Sequence, residues 1–359
     1  MKTQASAPEF AQRIVDWQRW FGRHDLPWQA SRDPYRIWLS EVMLQQTQVR
    51  TVIPYYLRFL EHFPDVAALA GAPVERVMEL WSGLGYYSRA RNLHRCAQRV
   101  VSHHGGRFPD SAAALAELPG IGQSTAAAIA AFSFGERAAI LDGNVKRVLC
   151  RHFGIEGWPG ERSVEQSLWT IARRELPPAG GIESYTQGLM DLGAQLCVRG
   201  RPRCGECPVA SSCAARAANR QTALPAPRPA RASPLREMAW LVMVTEGLVL
   251  LERRPPVGIW GGLLSFPEAS PNDPQRLADD IRARFGFDVR RATAFSPVRH
   301  AFTHFRLIAH PVLIEIGPHA TLAAETSAQW FDRSRAGELA LPRPVRSLLE
   351  RLTDLDPAG

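Results

Sequence analysis

Four cysteines crowd one short stretch, Cys197-x6-Cys204-x2-Cys207-x5-Cys213, and no chain can fold through it without deciding where those thiols go. The N-terminus, Met1 to Phe10, has no apolar segment of the kind a secretory signal needs, and no run is long and apolar enough to span a bilayer. A cytosolic location is therefore expected, where thiols stay reduced and clustered cysteines point to metal or cofactor ligation rather than disulfides. A four-cysteine zinc is the rival, but such sites come as two separated Cys-x2-Cys pairs and this stretch has one. The uneven spacing favours an iron–sulfur cluster. Arg199, Arg201 and Arg203 lie in its first interval, placed to offer cations to phosphate. Cys96 and Cys150 sit in helical patterns and read as small buried hydrophobes.

Residues 9 to about 215 read as helix after helix. Apolar residues recur at helical period in Phe10–Phe21, Tyr35–Val49, Val74–Trp81, Ala90–His103, Ser124–Ala131 and Val164–Glu175. The prolines of Leu224-Pro-Ala-Pro-Arg-Pro-Ala-Arg-Ala-Ser-Pro234 then forbid helix and favour an extended connection. Beyond it, Ala239–Val244 and Leu248–Arg253 flank Glu246-Gly247 as a hairpin. Phe305–Ile316 reads as a further apolar run, with helical patterns near Asp273–Phe285 and Pro344–Leu355. The chain thus reads as an all-α region, 1–215, a linker, 216–236, and an α+β domain, 237–355. A formal net charge of +8, carried by arginine far more than lysine, suits a polyanionic partner.

Leu118-Pro-Gly-Ile-Gly-Gln-Ser-Thr-Ala-Ala-Ala128 places two glycines between a short apolar helix and an alanine-rich one. Gly120 and Gly122 would let backbone N–H groups approach a phosphate oxygen, and the following helix N-terminus adds its positive dipole end. An ordinary helix hairpin would look the same. Further on, in Ile140-Leu-Asp-Gly-Asn-Val-Lys-Arg-Val-Leu149, Asp142 precedes a helix whose N–H groups can hold it ionised. Glu41 stands alone in Ile37-Trp-Leu-Ser-Glu-Val-Met-Leu-Gln-Gln-Thr-Gln-Val49, with no other charge across that span. A carboxyl in such surroundings should have a raised pKa and act as an acid. One carboxyl kept protonated and one kept ionised is what cleavage of a glycosidic bond through an oxocarbenium-like state requires.

Together these residues resemble the helix-hairpin-helix glycosylases, which share a Leu-Pro-Gly-x-Gly turn, a downstream catalytic Asp and, in one branch, a four-cysteine loop. Within that branch Leu39-Ser-Glu-Val-Met-Leu-Gln-Gln-Thr-Gln-Val49, Leu84-Gly-Tyr-Tyr87 and Leu141-Asp-Gly-Asn-Val-Lys-Arg147 are similar to adenine DNA glycosylases of the MutY type. The resemblance covers nearly the whole chain. It implies a six-helix module over about 30–138, and a cluster module built from the N-terminal helix and about 139–215. One 4Fe-4S cluster on Cys197, Cys204, Cys207 and Cys213 is implied with it. Glu41 matches the acid that protonates the departing adenine, Asp142 the carboxylate that stabilises the sugar cation, and Asn144 a residue orienting that centre. Trp28, Gln187 and Ser124 match the adenine pocket. Gln46 and Tyr86 match residues that wedge into the base stack while adenine is flipped out. Lys146 reads as a phosphate contact.

The second domain resembles the Nudix fold, with Gly262-x5-Glu268 echoing the start of its signature box. The paired glutamates that hold magnesium are missing, and Arg276-Leu-Ala-Asp-Asp-Ile281 offers acids at the wrong spacing, so pyrophosphate hydrolysis is not expected. In the family this domain reads 8-oxoguanine with a Phe-Ser-His loop, here Phe302-Thr303-His304. Ser124 and Gln29 occupy positions where other members carry Tyr and Arg. The partner implied is duplex DNA with a mispaired adenine, met by a monomer in the cytoplasm and its nucleoid.

Two other readings compete. A pyrimidine glycosylase and lyase related to endonuclease III would need a lysine after the hairpin, where this chain has Ser124. A noncatalytic DNA-binding or redox-responsive module would use the charge, hairpin and cluster, but leaves Glu41 unexplained.

Overall fold

The computed structural model describes residues 7–177, 180–229, 233–245, 247–255, 258–270, 274–302, 305–316 and 327–354. The chain divides into two compact units, one made of Met1–Ala72 and Asn92–Ala230, the other of Pro73–Arg91 and Arg231–Gly359.

The helices in chain order are α1 (Ala7–Phe21), α2 (Pro34–Leu44), α3 (Val49–His62), α4 (Val66–Gly71), α5 (Val74–Leu80), α6 (Ser88–His104) and α7 (Ala112–Leu115). There follow α8 (Gln123–Phe134), α9 (Gly143–Phe153), α10 (Arg162–Arg174), α11 (Ile182–Asp191) and the short α12 (Ala214–Ala217). The single helix expected over Tyr35–Val49 is interrupted. α2 stops at Leu44, Gln46 takes a positive φ of 59°, and α3 begins at Val49. Asp33 caps α2 by accepting the Tyr35 N–H at 2.9 Å, with Pro34 supplying the preset φ of a first helical residue.

The first unit has α8 and α11 near its centre. In α8, Ala126 to Ala131 are all buried, so this helix is apolar on every side and small enough to be packed from every side. One core joins Phe10, Ile14 and Val15 of α1 to Ala127, Ala128 and Ala131 of α8, Val145, Val148 and Leu149 of α9, and Leu189 of α11. α1 runs against α11, and at Gly188 the two helices are so close that a Cβ would stand 2.7 Å from Ile14 Cγ2. α11 passes directly into a π-helical turn, Leu192–Leu196, which delivers the chain to Cys197.

The second unit is built on a mixed sheet. β1 (Leu235–Thr245) pairs antiparallel with β2 (Leu248–Arg253) and parallel with β7 (Arg306–Ile316) in the register Leu235 to Arg306. β3 (Leu264–Ser265) and β8 (Ala328–Asp332) flank β2, β4 (Glu268–Ala269) adds to β1, and β5 (Val289–Ala294) and β6 (Val298–Ala301) add to β7. Strand alternation sends Trp240 and Val242 to one face, under Val345, Leu348 and Leu349 of α14 (Arg343–Asp354). Leu241 and Met243 go to the other, under Leu277, Ile281 and Phe285 of α13 (Pro274–Phe285). The expected hairpin, helices and late strand are all present, and the whole is α+β. Glu246 of the hairpin turn, and Asp273 and Leu355 at the ends of the expected helical spans, lie outside the described residues.

Candidate active site

A cavity of about 290 Å³ in the first unit is lined by Trp28, Gln29, Ser40, Glu41, Phe132 and Gln187, with His24, Arg32 and Glu183 among its other walls. Each of these arrives by a local cause. Trp28 sits on a one-turn helix, Pro27–Ala30, closed by Gln29, whose Oε1 accepts the Leu26 N–H at 3.0 Å while its Nε2 donates to the Arg23 carbonyl at 2.9 Å. Its indole meets Tyr56 edge-on at 5.4 Å. Gln29 is thus spent on holding the Trp28 turn.

Glu41 projects from the middle of α2, between the buried Ser40 and Val42. Burial raises its pKa to about 8, and the nearby Asp142 carboxylate pushes the same way. Protein encloses the carboxyl except where the cavity reaches it, so at neutral pH it carries a proton. Asp142 caps α9, its Oδ1 accepting the Val145 N–H at 2.8 Å. Its expected ionisation meets an opposing effect. Burial raises this carboxyl too, against the N–H groups of Val145 and Asn144 and the charges of Arg147 and Lys146, which lower it. The asymmetry between the two acids is one of partners: Asp142 has four groups favouring its charged form, and Glu41 has none. Asp142 does not line the 290 Å³ cavity itself.

Asn144 accepts from Arg147 Nη2 at 2.8 Å through its Oδ1. Arg147 also donates to the carbonyls of Gly193 and Cys197, each at 2.7 Å, tying the N-terminal end of α9 to the start of the cysteine loop. Ser124 is not on the cavity wall. Its hydroxyl accepts the Leu141 N–H at 2.9 Å and so fixes the segment leading into Asp142. Lys146 is engaged by Glu165, Nζ to Oε1 at 2.6 Å, which a bare phosphate contact does not anticipate.

Gly120 and Gly122 form the turn between α7 and α8. Gly120 has φ 79°, and a Cβ there would stand 2.6 Å from Asn92 Cβ, so only glycine fits. Gly122 caps α8 with open space beside it. Gln46 is exposed and has a positive φ, which is rare outside glycine. Gln45 steadies that turn by donating to Thr125 Oγ1 at 3.2 Å.

Arg199, Arg201 and Arg203 are exposed. Arg203 also donates to the Gln195 carbonyl at 3.1 Å and pairs with Glu206. Cys197, Cys204, Cys207 and Cys213 together line a small cavity of about 30 Å³. Burial raises the Cys207 thiol to about 11, and the other three thiols push it the same way, against the Val209 N–H. Buried Arg151 donates to Cys197 Sγ at 3.4 Å and to the carbonyls of Val198 and Arg199, bracing the loop. Among the described residues, no three His, Cys, Asp or Glu side chains are gathered tightly enough for a single metal ion.

In the second unit, Tyr86 is half exposed at φ 50°, with the Arg89 guanidinium 5.5 Å over its ring. Tyr86 shares a cavity of about 810 Å³ with Arg236, Trp260, His300, Phe302 and Phe305. Phe302 stacks on Phe305 at 4.6 Å and lies 5.2 Å from Trp260. Thr303 and His304 lie outside the described residues. Glu268, read as the start of a Nudix box, is paired with Arg254.

Residues 39–174 match the family of HhH-GPD superfamily base excision DNA repair proteins, and residues 239–351 match the NUDIX domain. The chain is 34% identical over 345 residues to the adenine DNA glycosylase of Buchnera aphidicola subsp. Baizongia pistaciae, covering 96% of each. The chain belongs to the adenine DNA glycosylase family. The human adenine DNA glycosylase is 41% identical over 345 residues, 79% of this chain and 63% of that one. A thermostable thymine-DNA glycosylase aligns on 59% of this chain and 97% of its own at TM-score 0.54 and 29% identity. This glycosylase is a base excision repair enzyme that hydrolyses N-glycosidic bonds in DNA.

Sequence reasoning missed Arg23, Asp191, Arg147, Arg151 and Glu165. Asp191 alone left a signal, standing four residues after Gln187 in an otherwise apolar stretch.

Proposed function

We propose that this glycosylase removes adenine mispaired with 8-oxoguanine or guanine, leaving an intact abasic site. The observation that carries the reading is a protonated Glu41 inside a cavity walled by Trp28 and Gln187, a flat aromatic and an amide suited to a flipped base. Glu41 gives its proton to the adenine ring. The bond from the sugar C1′ to adenine N9 breaks and its electron pair leaves with the base. The carboxylate of Asp142 stabilises the cation left on the sugar, and water adds to C1′ as its surplus proton passes to a carboxylate.

The opposite base is read in the second unit, where Tyr86, Trp260 and Phe302 supply stacking surfaces and His300 and Arg236 polar ones. DNA is met as a duplex by one copy of the chain, through the hairpin, Gln46 and the exposed arginines.

The four thiols fit a 4Fe-4S cluster. They surround one cavity and Arg151 offers an N–H to sulfur, while a stretch with a single Cys-x2-Cys pair is less suited to a four-cysteine zinc. Such a cluster would hold the loop bearing Arg199, Arg201 and Arg203 in shape. Six free cysteines suit the reducing cytoplasm and its nucleoid.

The test is an end-labelled duplex with one adenine opposite 8-oxoguanine, incubated with the protein and then treated with hot alkali. Breakage at that adenine alone supports the reading. Breakage at pyrimidines, or no breakage, overturns it.

A further inference from the structure

Behind the cavity wall lies a group that the reaction does not touch. Asp191 is fully buried at the last position of α11, and three side-chain or backbone donors of Arg23 converge on it. The Arg23 N–H reaches its Oδ2 at 2.8 Å, and Nε and Nη2 reach its Oδ1 at 2.7 and 2.6 Å. The fourth donor is Gln187 Nε2, one helical turn earlier, at 2.8 Å from Oδ1. A carboxylate in an ion pair only accepts, so the end of the Gln187 amide that faces Asp191 must be the NH2. Its Oε1 is then turned away from Asp191, on a side chain that lines the cavity, and has no donor among the described residues.

We propose that Asp191 and Arg23 are specificity-determining positioning residues, which lock the Gln187 amide so that the cavity presents an acceptor and selects bases bearing an exocyclic amino group. The inference rests on the adenine reading above. A freely rotating glutamine would offer donor or acceptor equally and would take an amino purine or an oxo purine alike. A locked one rejects a carbonyl at that position, because two acceptors would face each other in a closed site.

The experiment is single-turnover excision by the full-length protein from two duplexes opposite the same base, one carrying adenine and one carrying purine, which lacks the 6-amino group. Excision of adenine by the unaltered protein tests the underlying reading by itself. In Asp191→Asn the side chain loses its charge and one of its two acceptor atoms becomes a donor, so its hold on Arg23 and on the Gln187 amide is weakened. Adenine excision should fall about tenfold, the worth of one oriented hydrogen bond, while purine excision changes less than twofold. Gln187→Ala should lose as much on adenine as the double variant Gln187→Ala with Asp191→Asn, since the carboxylate acts through the amide. Equal losses on adenine and purine, or additive losses in the double variant, would overturn the proposal. Should Asp191→Asn lose its helical circular dichroism, Arg23→Gln loosens the same carboxylate from its solvent side. It should cost adenine about threefold and purine nothing, and equal losses there overturn the proposal as well.

Discussion

Replacing Glu41 with glutamine should make this protein more stable at neutral pH, and the size of the effect follows from the burial of that carboxyl. In the unfolded chain Glu41 ionises near 4.5, and in the fold near 8. The folded state therefore holds a proton that the unfolded state releases, so the group stabilises the fold least where the unfolded chain can ionise. Its contribution is fully favourable below pH 4.5 and declines as pH rises toward about 8, beyond which the loss is complete. At pH 7 the unfolded carboxyl lies 2.5 pH units above its own pKa, and at about 1.4 kcal/mol for each unit the penalty is roughly 3 kcal/mol. Glu41→Gln fills the same space and carries no such penalty. Urea unfolding followed by far-ultraviolet circular dichroism, from pH 4.5 to 8.5, should show the variant and parent nearly equal at the acid end. The gap should widen by about 1.4 kcal/mol per pH unit and level off above pH 8. A difference that does not change with pH would refute the assignment of a buried, protonated Glu41.

Other consequences follow from the same geometry. Truncation at about Pro225 removes Trp260, His300 and Phe302 from the wall shared with Tyr86, so preference for adenine opposite 8-oxoguanine over adenine opposite guanine should weaken while some excision survives. Undiminished preference in competition assays would give that domain another task. Ser124→Lys places an amine where the Ser124 hydroxyl now holds the Leu141 N–H, beside Asp142. It should gain strand cleavage without alkali and become trapped on DNA by borohydride, and strong cleavage by the parent would revive the lyase alternative. Protein purified without oxygen should be yellow-brown and contain more iron than zinc, whereas excess zinc would sink the cluster.

Much of the fold was legible because its signals are local. The helical periods of α1, α5 and α10 and the alternation of β1 each depend on neighbouring residues alone. Glu41 was legible for the same reason, as one charge in an apolar helix. What escaped depends on distance in sequence. Asp191 is paired by Arg23 across 168 positions, Ser124 is drawn to Leu141 and away from the cavity, and Glu165 claims Lys146. The break after Leu44 was hidden because Gln45, Gln46 and Thr47 carry no glycine or proline to announce a positive φ. Asp142 was read from its cap alone, and the fold adds the burial that opposes its charge. The parallel pairing of β1 with β7 joins strands some seventy residues apart, and no short-range pattern reports it.

The central claim is that Glu41 gives adenine its proton while a carboxylate at 142 supports the sugar cation. It is tested most directly by measuring binding and single-turnover excision separately, on one adenine to 8-oxoguanine duplex, for the parent, Glu41→Gln and Asp142→Asn. Both variants should bind within a few-fold of the parent, since neither change removes a phosphate contact, and both should lose excision by about 100-fold or more. Excision by Glu41→Gln within a few-fold of the parent would contradict the account.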